Sequence, residues 1–459
     1  MGRTRRKRSK KKPRCFTTCD HNEELINLNS WLAAQGLCRN DKLVLASFND
    51  TGRGVMTKRK IYPGEELLNM PLNLTINVTT VLMDKTFNQI FCENKMDCLQ
   101  KYKQSLSFQS LLAFYLVYHK VQESQSLWYL YLKSLPKEYT VPYFLPKDVQ
   151  NCLDAKMQSV ISKQSDVIDS SYNIFNNILN NNFSKNDILS KLKESYSRNL
   201  YEWAYFTVNT RCVYMDLTKV VDMNNYQHSL LNLINDNTKI ALCPYLDMIN
   251  HSPKARNETK LILNSCSDNI NLDNLDKDLF SDIRFSIYTN NTFEPFTQVF
   301  ICYGDSYNVK LLMEYGFILP NNELDYIPFD FDVVELYLKM KELKLSKDQI
   351  TFIQNHGLNK DLYVDQKGLS FNFYALLMVV KFYYKQNSDV SRIIYSSMNG
   401  VTEDSNFNDL VTPLVKEKIV DIRKSVDQLE TFGNNNVILN NCVELMCHYI
   451  SILENFIKC

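Results

Sequence analysis

The sequence lacks an apolar run long enough to cross a membrane. Its longest apolar stretches, residues 108–118 and 371–384, are interrupted by Ser110, Asn372 and Lys381. A membrane-spanning helix needs about 20 consecutive apolar residues, so we interpret both stretches as buried helices of a globular core. The pattern of a secretory signal peptide is also absent, because no apolar segment follows the basic N-terminal residues. We therefore expect no membrane contact.

The cysteines lack the spacing that would indicate a structural role. Thirteen are scattered along the chain, an odd number without the Cys-x-x-Cys pairs of a zinc site or the pattern of a disulfide-linked domain. We therefore expect no metal, and reduced thiols of the kind found in the cytosol and nucleus. The dinucleotide fingerprint is missing too, because no third glycine opens a helix after Gly52 and Gly54.

Acidic residues are absent from the first fourteen positions, where nine Lys and Arg residues lie between Arg3 and Arg14. Like charges repel and stay solvated, so residues 1–20 are predicted to form a disordered basic tail. Such clusters often serve nuclear import or nucleic-acid contact, and the expected partner of the segment from Arg3 to Arg14 is an import receptor or a nucleic acid. A tail that only improves solubility is the alternative. Together with the reduced thiols, the tail predicts a location in the nucleus and cytoplasm.

The remaining chain has the composition of a folded protein. Of 459 residues, 45% are hydrophobic and 12% aromatic, which fits two or three domains. Helical spacing is seen over residues 23–37, with Gly36 as the cap. Short strands separated by turns are predicted at residues 42–47, 54–58 and 66–70.

Helical periodicity then dominates from Val78 to about Ile240, apart from the Asn-rich residues 176–182, which are predicted to be a loop or a frayed helix end. Strand patterns return at residues 260–263, 283–289 and 298–303. Beyond about Asp325 the pattern is again helical. The sequence thus predicts a β domain interrupted by helices and followed by a helical domain.

Three short segments carry the residues of greatest chemical interest. The first, Thr51-Gly52-Arg53-Gly54, is either a ligand-approaching turn or an ordinary hairpin turn. The second contains Asp247, Asn250, His251 and Ser252 and is either a binding site or a hydrogen-bonded strand end. The third places Tyr303 and Tyr315 near a strand-to-helix junction, where both could equally be core tyrosines.

Taken in this order, the segments resemble the SET-domain methyltransferases, in particular the branch that includes the Rubisco large-subunit methyltransferase. The resemblance extends from about residue 51 to 317. It is carried by Thr51-Gly52-Arg53-Gly54, Trp128 with Tyr131-Leu132 and Leu135-Pro136, Val208-Asn209-Thr210-Arg211, Pro244-Tyr245-Leu246-Asp247, Asn250-His251-Ser252-Pro253, Val299-Phe300-Ile301-Cys302-Tyr303-Gly304 and Glu314-Tyr315-Gly316-Phe317.

The resemblance implies an α+β fold class, in which a SET-type β fold of small sheets with a helical insertion precedes an all-α C-terminal substrate-binding domain. The implied domains are a flanking helix at residues 21–41, a SET domain at 42–318 with its insertion at about 80–240, and the helical domain at 319–459. Relatives often carry Glu where this chain has Lys310, a difference that we expect to affect only a helix surface. The Cys-rich zinc segment of some histone-directed relatives is absent.

The same resemblance implies S-adenosyl-L-methionine as the cofactor. The implied cofactor-binding residues are Thr51, Gly52, Arg53, Gly54, Thr210, Arg211, Asp247, Asn250, His251 and Tyr303. Among these, the backbone of Gly52 to Gly54 is expected along the methionine moiety, Arg211 near its carboxylate, and Asp247, Asn250 and His251 near the amino and adenine ends. Tyr303 is the implied catalytic tyrosine, and Tyr315 a second catalytic aromatic residue of the side-chain channel.

The implied activity is that of a protein-lysine N-methyltransferase, whose partner is a protein substrate bearing the acceptor lysine, in a histone or another protein. Two alternatives stay open at this point. One is methylation of a protein histidine, because members of this branch differ in acceptor. The other is a catalytically silent SET-like module that only binds protein or chromatin, although the presence of Tyr303, Asn250 and His251 argues against it.

Overall fold

The computed structural model describes residues 16–18, 22–92, 99–182, 187–222, 228–263, 270–271, 280, 282–383, 407–433 and 436–458. The basic cluster between Arg3 and Arg14 lies outside these described residues. The predicted tail extended to residue 20, but Phe16–Thr18 forms a strand. That strand pairs antiparallel with residues 46–48, and the Phe16 ring packs against Phe48 with a centroid distance of 6.2 Å.

The chain divides into two compact units. The first comprises Met1–Tyr139 and Asp166–Asp305, and the second comprises Thr140–Ser165 and Ser306–Cys459. The predicted domains instead placed residues 140–165 in the SET insertion and began the C-terminal domain at 319. Apolar side chains of this segment, including Leu145, Val149 and Met157, join the buried core of the second unit, because that core removes them from water.

The strands of the first unit are short. They are β1 (Phe16–Thr18), β2 (Cys38–Arg39), β3 (Leu43–Phe48), β4 (Gly52–Thr57), β5 (Glu66–Pro71), β6 (Cys212–Tyr214), β7 (Val221–Asp222), β8 (Ile240–Leu242), β9 (Asn250–His251), β10 (Asn257–Leu263), β11 (Ile270–Asn271), β12 (Ile283–Thr289) and β13 (Gln298–Ile301). One sheet has the order β1-β3-β4-β13-β9 and another the order β10-β12-β5-β2. Two strand pairs, β6-β8 and β7-β11, complete the described sheets of this unit.

The described α-helices before β6 lie in both units, because residues 140–165 belong to the second unit. They are α1 (Glu23–Ala34), α2 (Val78–Met83), α3 (Lys85–Cys92), α4 (Phe108–Val121), α5 (Tyr129–Ser134), α6 (Lys147–Gln150), α7 (Ala155–Asn180), α8 (Asp187–Ser195) and α9 (Arg198–Arg211). The first helix begins where the Asn22 side chain accepts a hydrogen bond from the Leu25 backbone N–H at 3.1 Å, a common N-cap arrangement. It is followed by Gly36 at φ +93°, which agrees with the predicted glycine cap.

The second unit is mainly helical but not entirely so. Its later helices are α10 (Asn308–Tyr315), α11 (Phe331–Met340), α12 (Lys347–Asn355), α13 (Phe371–Phe382), α14 (Asn408–Glu430) and α15 (Val437–Lys458). The prediction of an all-α domain omitted a three-stranded sheet formed by β14 (Tyr326–Pro328), β15 (Tyr363–Asp365) and β16 (Gly368–Leu369). Strands this short escape a periodicity argument, because two or three residues hold no alternation to recognise.

The sequence predicts neither a membrane-spanning helix nor a metal site. Across those residues, no helix combines the length and apolar character that a membrane crossing requires. Over the same part of the chain, no group of three or more His, Cys, Asp or Glu residues is arranged to hold a metal ion.

Candidate active site

Strand β13 brings two of the three segments together. It pairs antiparallel with β4, where Val299 lies opposite Val55, and parallel with β9, where Phe300 lies opposite Asn250 and Ile301 opposite His251. The glycine-containing turn and the Asn-His dipeptide therefore flank one central strand. Arg53 and Asn250, almost 200 positions apart in the chain, meet here because β13 pairs with β4 on one side and with β9 on the other.

The side-chain amide of Asn250 connects these three strands. It donates to the backbone carbonyl of Arg53 at 3.1 Å and to Oε1 of Gln298 at 2.8 Å. Gln298 in turn donates from Nε2 to the Thr51 hydroxyl at 2.8 Å. A Cβ atom on Gly54 would lie 2.8 Å from both the Asn250 amide nitrogen and Gln298 Oε1. A side chain at position 54 would therefore displace the Asn250 and Gln298 amides, and glycine avoids this displacement.

Tyr303 is fixed at both ends directly after β13. Its backbone N–H donates to Nδ1 of His251 at 3.0 Å, and its hydroxyl donates to the backbone carbonyl of Ile249 at 2.8 Å. Burial lowers the pKa of His251 below its usual value, so its imidazole stays neutral near pH 7 and keeps Nδ1 as an acceptor. His251 therefore orients the residue that the resemblance assigns to catalysis.

A buried ion pair lies at the end of α9. Nη1 of Arg211 donates to Oδ2 and to the backbone carbonyl of Asp247, each at 3.1 Å. The Asp247 side chain is fully buried, and that of Arg211 is 14% exposed. Burial alone would lower the pKa of Arg211, but the nearby Asp247 charge raises it above its usual value. Arg211 is therefore charged throughout the physiological pH range.

This ion pair leaves two polar atoms unsatisfied. Arg211 Nε and Asp247 Oδ1 are buried and have no hydrogen-bond partner among the described residues. A buried donor or acceptor without a partner costs about 1–3 kcal/mol, so such atoms are uncommon in folded proteins. One donor and one acceptor in a single buried cluster suit a ligand that carries both an anionic and a cationic group.

The remaining predicted site residues are Thr210, Tyr315 and Gly52. Thr210 donates from its hydroxyl to the Phe206 carbonyl at 2.7 Å, within its own helix. Tyr315 ends α10 in the second unit, where its ring centroid lies 6.2 Å from that of Phe317. Gly52 adopts φ +68° with open space at its Cβ position, which identifies the tight turn between β3 and β4.

Sequence reasoning assigned no role to three further residues near this site. Gln298 joins Asn250 to Thr51, Asn257 accepts the Cys302 backbone N–H at 2.8 Å, and Tyr131 donates to Asp247. The one sequence feature that could have indicated a role for Gln298 is its polar side chain at the start of the apolar strand β13. Asn257 offered no such signal.

The arrangement of the five-stranded and four-stranded sheets identifies the fold. The structure superimposes on the crystal structure of the SET domain of LSMT bound to MeLysine and AdoHcy with a TM-score of 0.58, over 95% of this chain and 90% of that one, at 16% identity. The chain has the SET-domain fold. The predicted fold class is thereby confirmed.

Curated relatives agree with this SET fold, although no protein-family model matches the chain. SET domain-containing protein 4 of Mus musculus is 27% identical over 387 residues, which are 83% of this chain and 78% of that protein. Ribosomal lysine N-methyltransferase set11 of Schizosaccharomyces pombe is 24% identical over 347 residues, or 74% and 71% of the two chains. The sequence motifs also predict a resemblance to SET domain-containing protein 4 in particular. Both this resemblance and the broader one to SET-domain methyltransferases are confirmed.

Proposed function

We propose that this protein transfers a methyl group from S-adenosyl-L-methionine to the side-chain nitrogen of a lysine in a protein substrate. The observation that carries the proposal is Tyr303, whose position is fixed by His251 and Ile249 beside the Asn250 amide. Relatives named as lysine N-methyltransferases and the SET fold support the same reaction.

The unsatisfied atoms of the buried ion pair fit this cofactor. Its methionine end carries a carboxylate and an ammonium group, which match the Arg211 Nε donor and the Asp247 Oδ1 acceptor. Asn250 holds the Arg53 carbonyl in place, and Gly54 provides close backbone approach. When bound, the cofactor supplies an electrophilic methyl group on a sulfonium ion.

Tyr303 is suited to orient the acceptor nitrogen. A tyrosine hydroxyl is both a donor and an acceptor, and here its proton is directed to the Ile249 carbonyl. Its oxygen is therefore presented as an acceptor for an N–H of the incoming amine, which turns the nitrogen lone pair toward the methyl group. Such alignment can contribute on the order of 7 to 11 kcal/mol to a two-reactant step.

The acceptor must lose a proton before transfer, because a lysine ammonium has a pKa of about 10.4 and no lone pair. Burial among aromatic side chains disfavours the ammonium and lowers that pKa. A phenol is a poor base near pH 7, so the proton leaves to solvent. The residues of this chain thus select and align the amine.

The direct test is methylation of whole-cell protein. Lysate is incubated with isotopically labelled cofactor, with and without the purified protein, and the labelled residue is mapped by mass spectrometry. We expect protein-dependent label on lysine. Label on histidine would instead support the alternative acceptor, and a chain that fails to bind millimolar cofactor would be a silent binding module.

A matched pair of variants assigns the activity to the site. Tyr303→Phe should reduce labelling by about 100-fold or more, because loss of the hydroxyl misplaces the acceptor amine, while cofactor affinity stays nearly unchanged. Tyr214→Phe removes a hydroxyl from a side chain that is 65% exposed and should retain full activity. Equal labelling by both variants would contradict the role of Tyr303.

We also propose a histone as a candidate acceptor, and location in the nucleus and cytoplasm. The support is the basic cluster from Arg3 to Arg14, which has the composition of an import signal or nucleic-acid contact. Deletion of residues 1–14 should reduce nuclear accumulation of a fluorescent fusion. An unchanged distribution would reject the import role, and salt-insensitive nucleic-acid binding would reject the electrostatic contact.

A further inference from the structure

Tyr131 is a fully buried residue of α5 that belongs to a sequence motif of the resemblance but has no role in the function proposed above. Its helix is anchored next to Trp128, whose ring packs edge-on against Trp31 at a centroid distance of 6.0 Å. The Ser134 hydroxyl donates to the Tyr131 carbonyl at 2.7 Å. The Tyr131 backbone is therefore fixed within α5.

The hydroxyl of Tyr131 donates to Oδ2 of Asp247 at 2.9 Å. The same oxygen accepts a hydrogen bond from Nη1 of Arg211 at 3.1 Å. Oδ2 therefore accepts both of these hydrogen bonds. Oδ1 has no partner among the described residues. With Oδ2 fixed by two donors, the carboxylate cannot rotate to offer Oδ1 to the guanidinium.

Tyr131 keeps its proton under all ordinary conditions. Burial raises the pKa of Tyr131 well above its usual value, and the negative charge of Asp247 raises it further. The neighbouring thiols of Cys212 and Cys243 are also buried, and burial followed by the Asp247 charge raises the pKa of each. Among these groups, the carboxylate of Asp247 is thus paired with one positive charge and one neutral hydroxyl donor.

We propose that Tyr131 is a positioning residue for the cofactor site, which acts through Asp247 to keep Oδ1 available for the cofactor's ammonium group. The inference rests on the proposed function. Without the hydroxyl, Asp247 is free to rotate and to pair both of its oxygens with Arg211. The acceptor and the guanidinium donor would then no longer be aligned with the methionine end of the cofactor.

The test compares two buried tyrosines under the same substitution. Tyr131→Phe removes only the hydroxyl that contacts Asp247. Tyr201→Phe is the control, because Tyr201 is also fully buried in the first unit and its hydroxyl lies 2.8 Å from Oγ of Ser171, away from the ion pair. Affinity for S-adenosylhomocysteine is measured by titration calorimetry in the full-length chain, and thermal unfolding of each variant is followed in parallel.

We expect Tyr131→Phe to weaken S-adenosylhomocysteine binding about tenfold, which corresponds to 1.4 kcal/mol at 25 °C. Tyr201→Phe should bind as the unaltered protein does. At saturating cofactor, Tyr131→Phe should label lysate protein within twofold of the unaltered rate, because Tyr303 is untouched. An effect on the rate and none on affinity would overturn the proposal.

A double-mutant cycle separates positioning from general loss of structure. In an Asp247→Asn background, Tyr131→Phe should cost no further affinity, because its effect passes through Asp247. Additive losses, or equal losses in the Tyr131 and Tyr201 variants, would overturn the role of Tyr131. Failure of the unaltered chain to bind S-adenosylhomocysteine would instead overturn the proposed function itself.

Discussion

Two aspartates of the first unit, the half-buried Asp84 and the fully buried Asp247, have similar partners but differ in which carboxylate oxygens those partners contact. Asp247 contacts Arg211 and the Tyr131 hydroxyl. Asp84 contacts His119, with Nε2 and Oδ2 separated by 3.5 Å, and accepts the Tyr115 hydroxyl at 3.2 Å. Each cluster thus combines a carboxylate, a basic group and a tyrosine.

The difference lies in what each carboxylate leaves unsatisfied. Oδ1 of Asp84 accepts the Phe87 backbone N–H at 2.9 Å in the first turn of α3, and Oδ2 connects this turn to Tyr115 and His119 of α4. Both oxygens of Asp84 therefore serve the fold. Asp247 directs only Oδ2 to protein groups and keeps Oδ1 without a partner among the described residues. In the Asp84 cluster the buried atom without a hydrogen-bond partner is Nε2 of His119 rather than a carboxylate oxygen. The two clusters therefore differ in whether the carboxylate itself has an open acceptor.

The largest expected effect comes from removing the charge of each carboxylate in turn. Asp247→Asn should weaken S-adenosylhomocysteine binding by about 100-fold, or 2.7 kcal/mol, because the ammonium loses its counter-charge and the guanidinium of Arg211 is left unpaired. Asp84→Asn should lower the free energy of unfolding by about 2–3 kcal/mol through lost hydrogen bonds to a charged group, with cofactor affinity within twofold. Calorimetry and urea unfolding measure both quantities.

Either of two results would erase the distinction between the clusters. The first is an Asp84→Asn protein that folds normally but binds the cofactor as weakly as Asp247→Asn. The second is an Asp247→Asn protein whose cofactor affinity is unchanged. A circular dichroism spectrum of each variant establishes that the affinities refer to folded protein.

Local elements of this fold could be predicted from the sequence, because their patterns are short-range. The strand predicted at residues 283–289 has the bounds of β12, and the one predicted at 42–47 differs from β3 by one residue at each end. The Asn-rich residues 176–182 were expected to be a loop or frayed end, but α7 continues to Asn180. Burial of Phe175, Ile178 and Leu179 outweighs the low helix propensity of asparagine there.

Non-local features could not be predicted in this way. The parallel pairing of β13 with β9, and the packing of residues 140–165 in the second unit, depend on contacts between distant parts of the chain. The site residues Asn250, His251 and Tyr303 were found through the resemblance, since each is ordinary by itself. No pattern in the sequence indicated that the Tyr131 hydroxyl contacts Asp247, because the two are 116 positions apart.

A smaller effect is expected when the tyrosine hydroxyls are compared. Tyr115→Phe removes one hydrogen bond to Asp84 and should lower the free energy of unfolding by about 1 kcal/mol, with no change in cofactor affinity. Tyr131→Phe makes the same chemical change at Asp247 and should be seen mainly in cofactor affinity. A Tyr115→Phe protein with reduced cofactor affinity would contradict a purely structural role for the Asp84 cluster.

The smallest expected effect is on the pH dependence of stability. Of the two clusters, only the Asp84 cluster contains a histidine. Burial lowers the pKa of His119 below its usual value of about 6.5, while the Asp84 charge offsets part of this effect. The unfolded chain therefore binds a proton more readily than the folded one. The stability due to neutral His119 is complete above pH 6.5 and is lost as pH falls through the lowered pKa.

Thermal unfolding at pH 7.5 and pH 5.5 tests this pH dependence. His119→Gln cannot gain a proton, so its unfolding temperature should fall less over this interval than that of the unaltered chain. His251 and His228 also have lowered pKa values through burial, and they contribute to the part of the decrease that both proteins share. Identical decreases in unfolding temperature would show that protonation of His119 does not contribute to the pH dependence of stability.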